Sequence, residues 1–190
     1  MELIDHLEVM EHELGRIPTT ISSSGYRVDG ETGIKTVVSL SARRSVDYFF
    51  EIKGKCQFLE FTDLARGQED LLGIDDPVGK IENEFHRNKL KKLLKQDSRR
   101  ELVEKFKDSK DIFSKISNIY QNVPNIFLNL EAKVFYIVHA PINSELSDVD
   151  KASITRYLLI LKSTVSDCLE DEICERVKLI LLDKFIEEMG

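Results

Sequence analysis

Leu3, Leu7, Met10 and Leu14 recur at helical spacing, Gly15 follows them and Pro18 forbids continuation, so the pattern predicts a short helix over 2–14. Residues 15–32 read as a polar loop. From Gly33 the apolar positions become β-branched and aromatic, which predicts three strands at Ile34–Leu40, Ser45–Ile52 and Cys56–Thr62. Lys53-Gly54 between the last two suits a two-residue hairpin loop. With Ile52 facing Lys55, Glu51 then lies opposite Cys56, Phe49 opposite Phe58, and Asp47 opposite Glu60. Val46, Tyr48, Phe50, Ile52, Leu59 and Phe61 share one face, which is predicted to be the core.

After Asp63 the pattern turns helical, breaks at Gly73–Pro77, and resumes from Val78 to about Gln121 as one long helix or two. Pro124 ends it. Lys133–His139 (KVFYIVH) is a near-continuous apolar run of the kind a central strand covered on both faces shows, and Pro141 stops it. Ser147 with Asp150 three residues on marks a helix start, and Ile154, Tyr157, Leu158, Leu161 and Val165 form the stripe that follows. Ile173, Val177, Ile180, Leu181 and Phe185 read as the stripe of a second helix.

The chain of 190 residues is 42% hydrophobic and 32% charged, with nine Gly and four Pro, as expected of a helix-rich globular protein rather than a disordered or fibrous one. The expected organisation is an α/β core with a mixed sheet over 1–145, and a C-terminal helical pair over 146–190 packed on that core or on a partner. The net charge of −7 excludes a general attraction to nucleic acid or to an anionic membrane. No apolar run approaches the roughly 20 residues of a membrane span, and the acid-rich start MELIDHLEVMEHELG is unlike a signal peptide, so the expected location is cytoplasmic. Cys56, Cys168 and Cys174 contain no CxxC pair, and His6, His12, His86 and His139 lack zinc-ligand spacing, so the cysteines are expected to be free thiols.

Two carboxylates opposed across an antiparallel pair repel by some tenths of a kcal/mol, up to about 1. A divalent cation would remove that penalty. Hard oxygens suit Mg²⁺, which takes one or two protein carboxylates and leaves positions for phosphate oxygens. If the register were shifted, Asp47 and Glu60 would instead sit apart on a solvated face.

The order helix, three meandering strands, helix, strand, with Asp47 within Ser45–Phe50 and Glu60 within Phe58–Asp63, resembles the core of the PD-(D/E)xK restriction-endonuclease-like superfamily over about residues 2–140. The resemblance implies an αβββαβ core, Mg²⁺-dependent DNA endonuclease chemistry, and Asp47 and Glu60 as catalytic metal ligands. In the family pattern a Lys stands two positions beyond the third-strand acid, where its charge helps to place the attacking water; here that position is Thr62. Either a basic group arrives from elsewhere, with Lys35, Arg66 and Lys80 as candidates, or the site is catalytically dead. Glu51-Ile52-Lys53 also spells the motif but ranks second, because Lys53 falls in the hairpin turn and Asp29 upstream lies in a loop. A Glu from the first helix, which some members add, would correspond to Glu8 or Glu11.

Residues 80–115 carry 12 basic and seven acidic side chains, a balance of +5 that leaves −12 for the rest of the chain. Arg87, Lys91 and Lys95 repeat at four-residue spacing, and with Lys92, Arg99 and Arg100 they would form a cationic ridge able to follow a DNA backbone, or simply a solvated face. Two functions are therefore expected: a metal-dependent nuclease, in a defence or DNA-processing assembly, or an inactive nuclease-fold subunit that serves as a scaffold. The second would dock through the C-terminal pair, where Glu170, Asp171, Glu172 and Glu175 precede an apolar stripe, onto a protein partner or another copy of the chain.

Overall fold

Lys53 and Gly54 both take positive φ, 53° and 75°, and turn β3 (Tyr48–Ile52) into β4 (Lys55–Phe61) as a two-residue hairpin. The ladder pairs Ile52 with Lys55, Glu51 with Cys56 and Phe49 with Phe58, the register expected from the turn. This hairpin is the middle of a six-stranded mixed sheet in an α/β fold, ordered β1-β2-β3-β4-β5-β6. β1 (Leu7–Val9) and β2 (Ser24–Arg27) precede it and pair antiparallel, whereas β5 (Lys133–His139) and β6 (Cys174–Leu181) extend the sheet parallel to β4. The computed structural model describes residues 2–15, 17–70, 84–129, 131–169 and 174–189, of which 84–95 by backbone alone.

Five α-helices, α1 (Ile34–Val37), α2 (64–70), α3 (Glu84–Ile119), α4 (Asp148–Cys168) and α5 (Leu182–Met189), and 3₁₀ turns at Leu3–His6 and Asn125–Phe127 complete the described structure. α3 is one continuous helix of 36 residues, about 54 Å long at 1.5 Å per residue. Ser147 caps α4, its hydroxyl accepting the Asp150 backbone N–H, and Ile154, Leu158, Leu161 and Val165 are its buried stripe. No helix among the described residues is long and apolar enough to cross a membrane.

Both faces of the sheet are buried, which the expectation of a single apolar face did not contain. Phe49, Cys56, Phe58 and Phe135 pack against α3 and α4 through Phe106, Phe113 and Leu158. Tyr48, Phe50, Leu59, Phe61 and Tyr136 pack on the other face under α5, through Leu182 and Phe185, and under the β1–β2 connection, through Met10, Leu14 and Ile21. Val46 lies in the first of these layers rather than with Tyr48. β5 is buried along all seven residues, as a strand covered on both faces must be.

Several local expectations are corrected. Leu3–His6 is a 3₁₀ turn and Leu7–Val9 is an edge strand, so there is no helix over 2–14. The apolar residues there serve opposite layers, Leu3 one and Met10 with Leu14 the other, which a single helical face cannot do. The supposed loop 15–32 contains β2, whose Gly25 lets the strands close up: a Cβ there would lie 2.9 Å from Met10 Sδ and 3.2 Å from the Tyr48 ring. Ile34–Leu40 is not a strand; Gly33 starts a short helical turn that buries Ile34 and Val38. The second C-terminal stripe is divided between β6, which holds Val177, Ile180 and Leu181, and α5, which holds Phe185. The expected break at 73–77, Lys80 and Ile173 lie outside the described residues, as do Glu170, Asp171 and Glu172.

Candidate functional site

A cleft of about 350 Å³ opens at the end of the sheet where β2 stops, β3 begins and β4 stops, and Asp47, Glu60 and Lys105 line it together. Asp47 immediately precedes β3; its backbone N–H donates to Leu59 O at 3.0 Å, and its own carboxylate accepts the Phe61 N–H at 2.7 Å. Alternation along β4 sends Leu59 and Phe61 into the layer under α5 and Glu60 towards α3.

Helix α3 delivers the cation. Leu102, Phe106, Ser109, Phe113 and Ile116 repeat at helical spacing on its buried side, so Lys105, one residue before Phe106, is brought to the sheet's end. The helix is pinned against the β3 approach: Ser109 Oγ accepts the Val46 N–H at 2.8 Å, and the Asp108 carboxylate accepts Arg43 Nη1 at 3.0 Å and Arg44 N–H at 3.1 Å. Lys105 Nζ donates to Glu60 Oε1 at 2.5 Å. Glu60 is 2% exposed, and its Oε2 is buried without a hydrogen-bond partner.

The electrostatics of the three groups are coupled. Burial, reinforced by the Asp47 charge, pushes the Glu60 carboxyl well above the usual carboxylate range against the pull of Lys105. Burial likewise raises Asp47 to about 6, although the Phe61 N–H and Lys105 oppose it. Burial alone would lower the Lys105 ammonium, but Glu60 and Asp47 outweigh that and the net shift is upward. The result is a buried Glu60 paired with Lys105, which also lies 3.7 Å from Glu101, with the half-buried Asp47 carboxyl within their field.

The rest of the rim comes from β2 and the β1–β2 connection. Asp29 accepts the Gly30 N–H at 2.7 Å and pairs with Lys35; burial would raise its carboxyl, but these partners hold it below the usual range. Glu11 and Glu13 line the cleft from the connection, which is tied down where Glu11 N–H donates to Tyr48 Oη at 3.1 Å. Glu8 Oε1 accepts both Arg27 Nη1 and Tyr48 Oη at 3.1 Å.

Thr62 does not line the cleft; its backbone N–H donates to Val138 O. Lys35 is held by Asp29, and Arg66 is exposed on α2, so neither is placed where Lys105 is. Glu51 and Lys53 lie at the hairpin end of β3, the opposite end from Asp47 and Asp29. Arg87, Lys91, Lys92 and Lys95 fall on α3, their side chains outside the described residues, while Arg99 is half-buried and Arg100 pairs with Asp97 at 2.9 Å and Glu104 at 3.8 Å. Among the described residues no group of three or more His, Cys, Asp or Glu is placed to hold a metal ion. All three cysteines are free thiols, Cys56 and Cys174 buried and Cys168 exposed. Lys105, Arg27, Glu13 and Gly30 are cleft residues that sequence reasoning did not assign to the site. No family model matches the chain, and neither curated proteins nor solved structures match it.

Proposed function

We propose that this cleft is a Mg²⁺-dependent phosphodiesterase site acting on DNA, of the nuclease kind the family resemblance implies. The observation that carries the reading is Glu60: a carboxylate that is 2% exposed, bonded to Lys105 through one oxygen and left with the other unpartnered, with the half-buried Asp47 carboxylate lining the same open cleft. Each unsatisfied buried oxygen costs about 1–3 kcal/mol or more for a charged group, which a ligand can recover. A hard divalent cation fits, since Mg²⁺ takes one or two protein carboxylates; Asp47 and Glu60 would hold it. When bound, it supplies positive charge at a phosphoryl oxygen and makes water more acidic. Lys105 brings the ammonium that Thr62 lacks, placing a proton donor and a fixed charge at the carboxylate pair. The succession of antiparallel β2, β3 and β4, then α3, then β5 parallel to β4 supports the resemblance, with a 3₁₀ turn and β1 where the family has its first helix. The basic run of α3 would follow the DNA backbone, and the three free thiols suit a cytoplasmic setting.

Incubation with plasmid and with single-stranded DNA, in Mg²⁺ and then Mn²⁺, tests the activity. Cleavage that disappears in an Asp47→Ala, Glu60→Ala double variant is the expected result, and cleavage unchanged by it disposes of this site. A second reading, a non-catalytic subunit of a larger assembly, is favoured by Leu159 and Ile160, 63% and 55% exposed on α4. Stable co-purification of one protein partner together with no cleavage under any metal would establish that reading instead.

A further inference from the structure

We propose that Arg27 is the phosphate-holding group of this cleft and that Glu8 is its positioning residue. The proposal rests on the phosphodiesterase reading above and adds the element which that reading lacks. Glu11, Glu13, Asp29, Asp47 and Glu60 all line the cleft, so an oxyanion entering it meets a negative field. Lys105 faces inward and is spent on Glu60, with its side chain 19% exposed, and Lys35 is spent on Asp29. Arg27 is in a different position. Its side chain is 41% exposed on the cleft wall, and its one described ion pair, to Glu8 Oε1, uses Nη1 alone. A guanidinium has five N–H donors in a planar fork, so a two-pronged contact to phosphate remains open.

The orientation of that fork is built into the sheet. Arg27 lies directly across the ladder from Tyr48, and Glu8 lies across from Gly25, one diagonal step from Arg27. Glu8 Oε1 takes the Tyr48 hydroxyl as well as the guanidinium, so the carboxylate that steers Arg27 is itself fixed. Gly30 follows, with φ of +90°, a conformation that favours glycine, and the turn it makes passes beside Arg27 Nε.

Equilibrium dialysis of the full chain separates the proposal from the reading beneath it. Binding of Mn²⁺ reports on Asp47 and Glu60, and binding of radiolabelled inorganic phosphate, with and without Mn²⁺, reports on Arg27. Arg27→Gln is expected to leave the Mn²⁺ affinity within about twofold and to weaken phosphate by about tenfold or more, the scale of one lost charge-assisted hydrogen bond. Arg27→Lys should restore only part of this, because an ammonium cannot make the fork. Glu8→Gln, which keeps an acceptor, should retain most of the phosphate affinity that Glu8→Ala loses, again at unchanged Mn²⁺ affinity. Phosphate binding to Arg27→Gln at the native level overturns the proposal. Native protein that fails to bind Mn²⁺ but binds phosphate through Arg27 overturns the metal reading and keeps the clamp; native protein that binds neither overturns both.

Discussion

Replacing Lys105 with Met removes the ammonium from Glu60 but keeps most of the aliphatic stem, so the change isolates the charge. Glu60 would be left as a buried carboxylate with neither oxygen neutralised, next to Asp47. Breaking a buried ion pair from one side typically costs 3–5 kcal/mol. The Glu60 side chain is 3% exposed but that of Lys105 is 19%, so water screens part of the interaction and about 2–3 kcal/mol is expected at pH 8. The pH dependence fixes the origin of the loss. Glu60 titrates above its unfolded value of about 4.3, so between the two values the native state holds the extra proton and stability falls as pH rises. Without Lys105 that shift is larger. The deficit relative to the native protein should therefore be larger at pH 8 than at pH 5, because falling pH neutralises Glu60 by protonation. Urea unfolding followed by far-ultraviolet circular dichroism at both pH values measures it; with m of about 1–3 kcal/mol per molar, the midpoint should fall by roughly 1–2 M at pH 8. Adding Glu60→Gln to the Lys105→Met chain should restore much of the loss. An equal deficit at pH 5 and pH 8, or no rescue by Glu60→Gln, would refute the coupling.

Asp47→Asn keeps an acceptor for the Phe61 N–H and removes a carboxyl raised to about 6, so it should stabilise the protein by about 1–2 kcal/mol at pH 8, with the gain vanishing near pH 4, where the native Asp47 is itself neutral. The same variant should lose cleavage, and a variant no more stable than the native chain in urea at pH 8 would contradict the burial penalty. Gly25→Ala should destabilise by about 1–3 kcal/mol in thermal or urea unfolding, because its Cβ would meet the Met10 side chain and the Tyr48 ring; an unchanged midpoint would show that Met10 simply moves aside. Replacing Arg87, Lys91 and Lys95 with Gln should flatten the slope of log K against log salt for duplex DNA by roughly three units, at about 0.9 per lost phosphate contact; an unchanged slope would make these side chains a solvated face.

The central hairpin was legible because three local signals agree on it: β-branched and aromatic residues along Val46–Ile52, a two-residue turn, and a second strand that closes the register. β5 and the capped start of α4 were legible for similar reasons. The N-terminal strands were not, because β1 is three residues long and β2 reads Ser-Gly-Tyr-Arg, with no alternation to detect; both are made by pairing to neighbours and not by their own preference. β6 misled for the opposite reason, since Val177, Ile180 and Leu181 satisfy a helical spacing while sheet pairing with β5 decides the structure. At the cleft, the turn's register brings Asp47 and Glu60 to the same end of the hairpin, although the ladder ends at Tyr48–Leu59 and Asp47 bonds to Leu59 instead of pairing with Glu60. Lys105 was hidden inside a basic run whose evident reading is a surface ridge. The signal that separates it is its place one residue before Phe106, on the same turn of α3 as the buried Leu102.

A purely structural role for Glu60 and Lys105 makes a different demand on the geometry than a binding role does. A buried ion pair retained for the fold is expected to satisfy both carboxylate oxygens, because the desolvation of two charges is offset only when their remaining hydrogen-bonding capacity is used. Here Glu60 Oε2 has no partner, a second carboxyl is held nearby with its acidity reduced by burial, and both border an open cleft rather than a packed interior. Apolar residues at these positions would close the sheet end at lower cost, as Phe49 and Phe58 do one step further along the ladder. The arrangement therefore holds two carboxyl groups whose charged forms are disfavoured by burial, beside one ammonium, and a cation bound there would favour the charged form of both. On the proposed reading, Arg27, held by Glu8 at the rim, would offer an entering oxyanion a fixed positive fork among acids that would otherwise repel it.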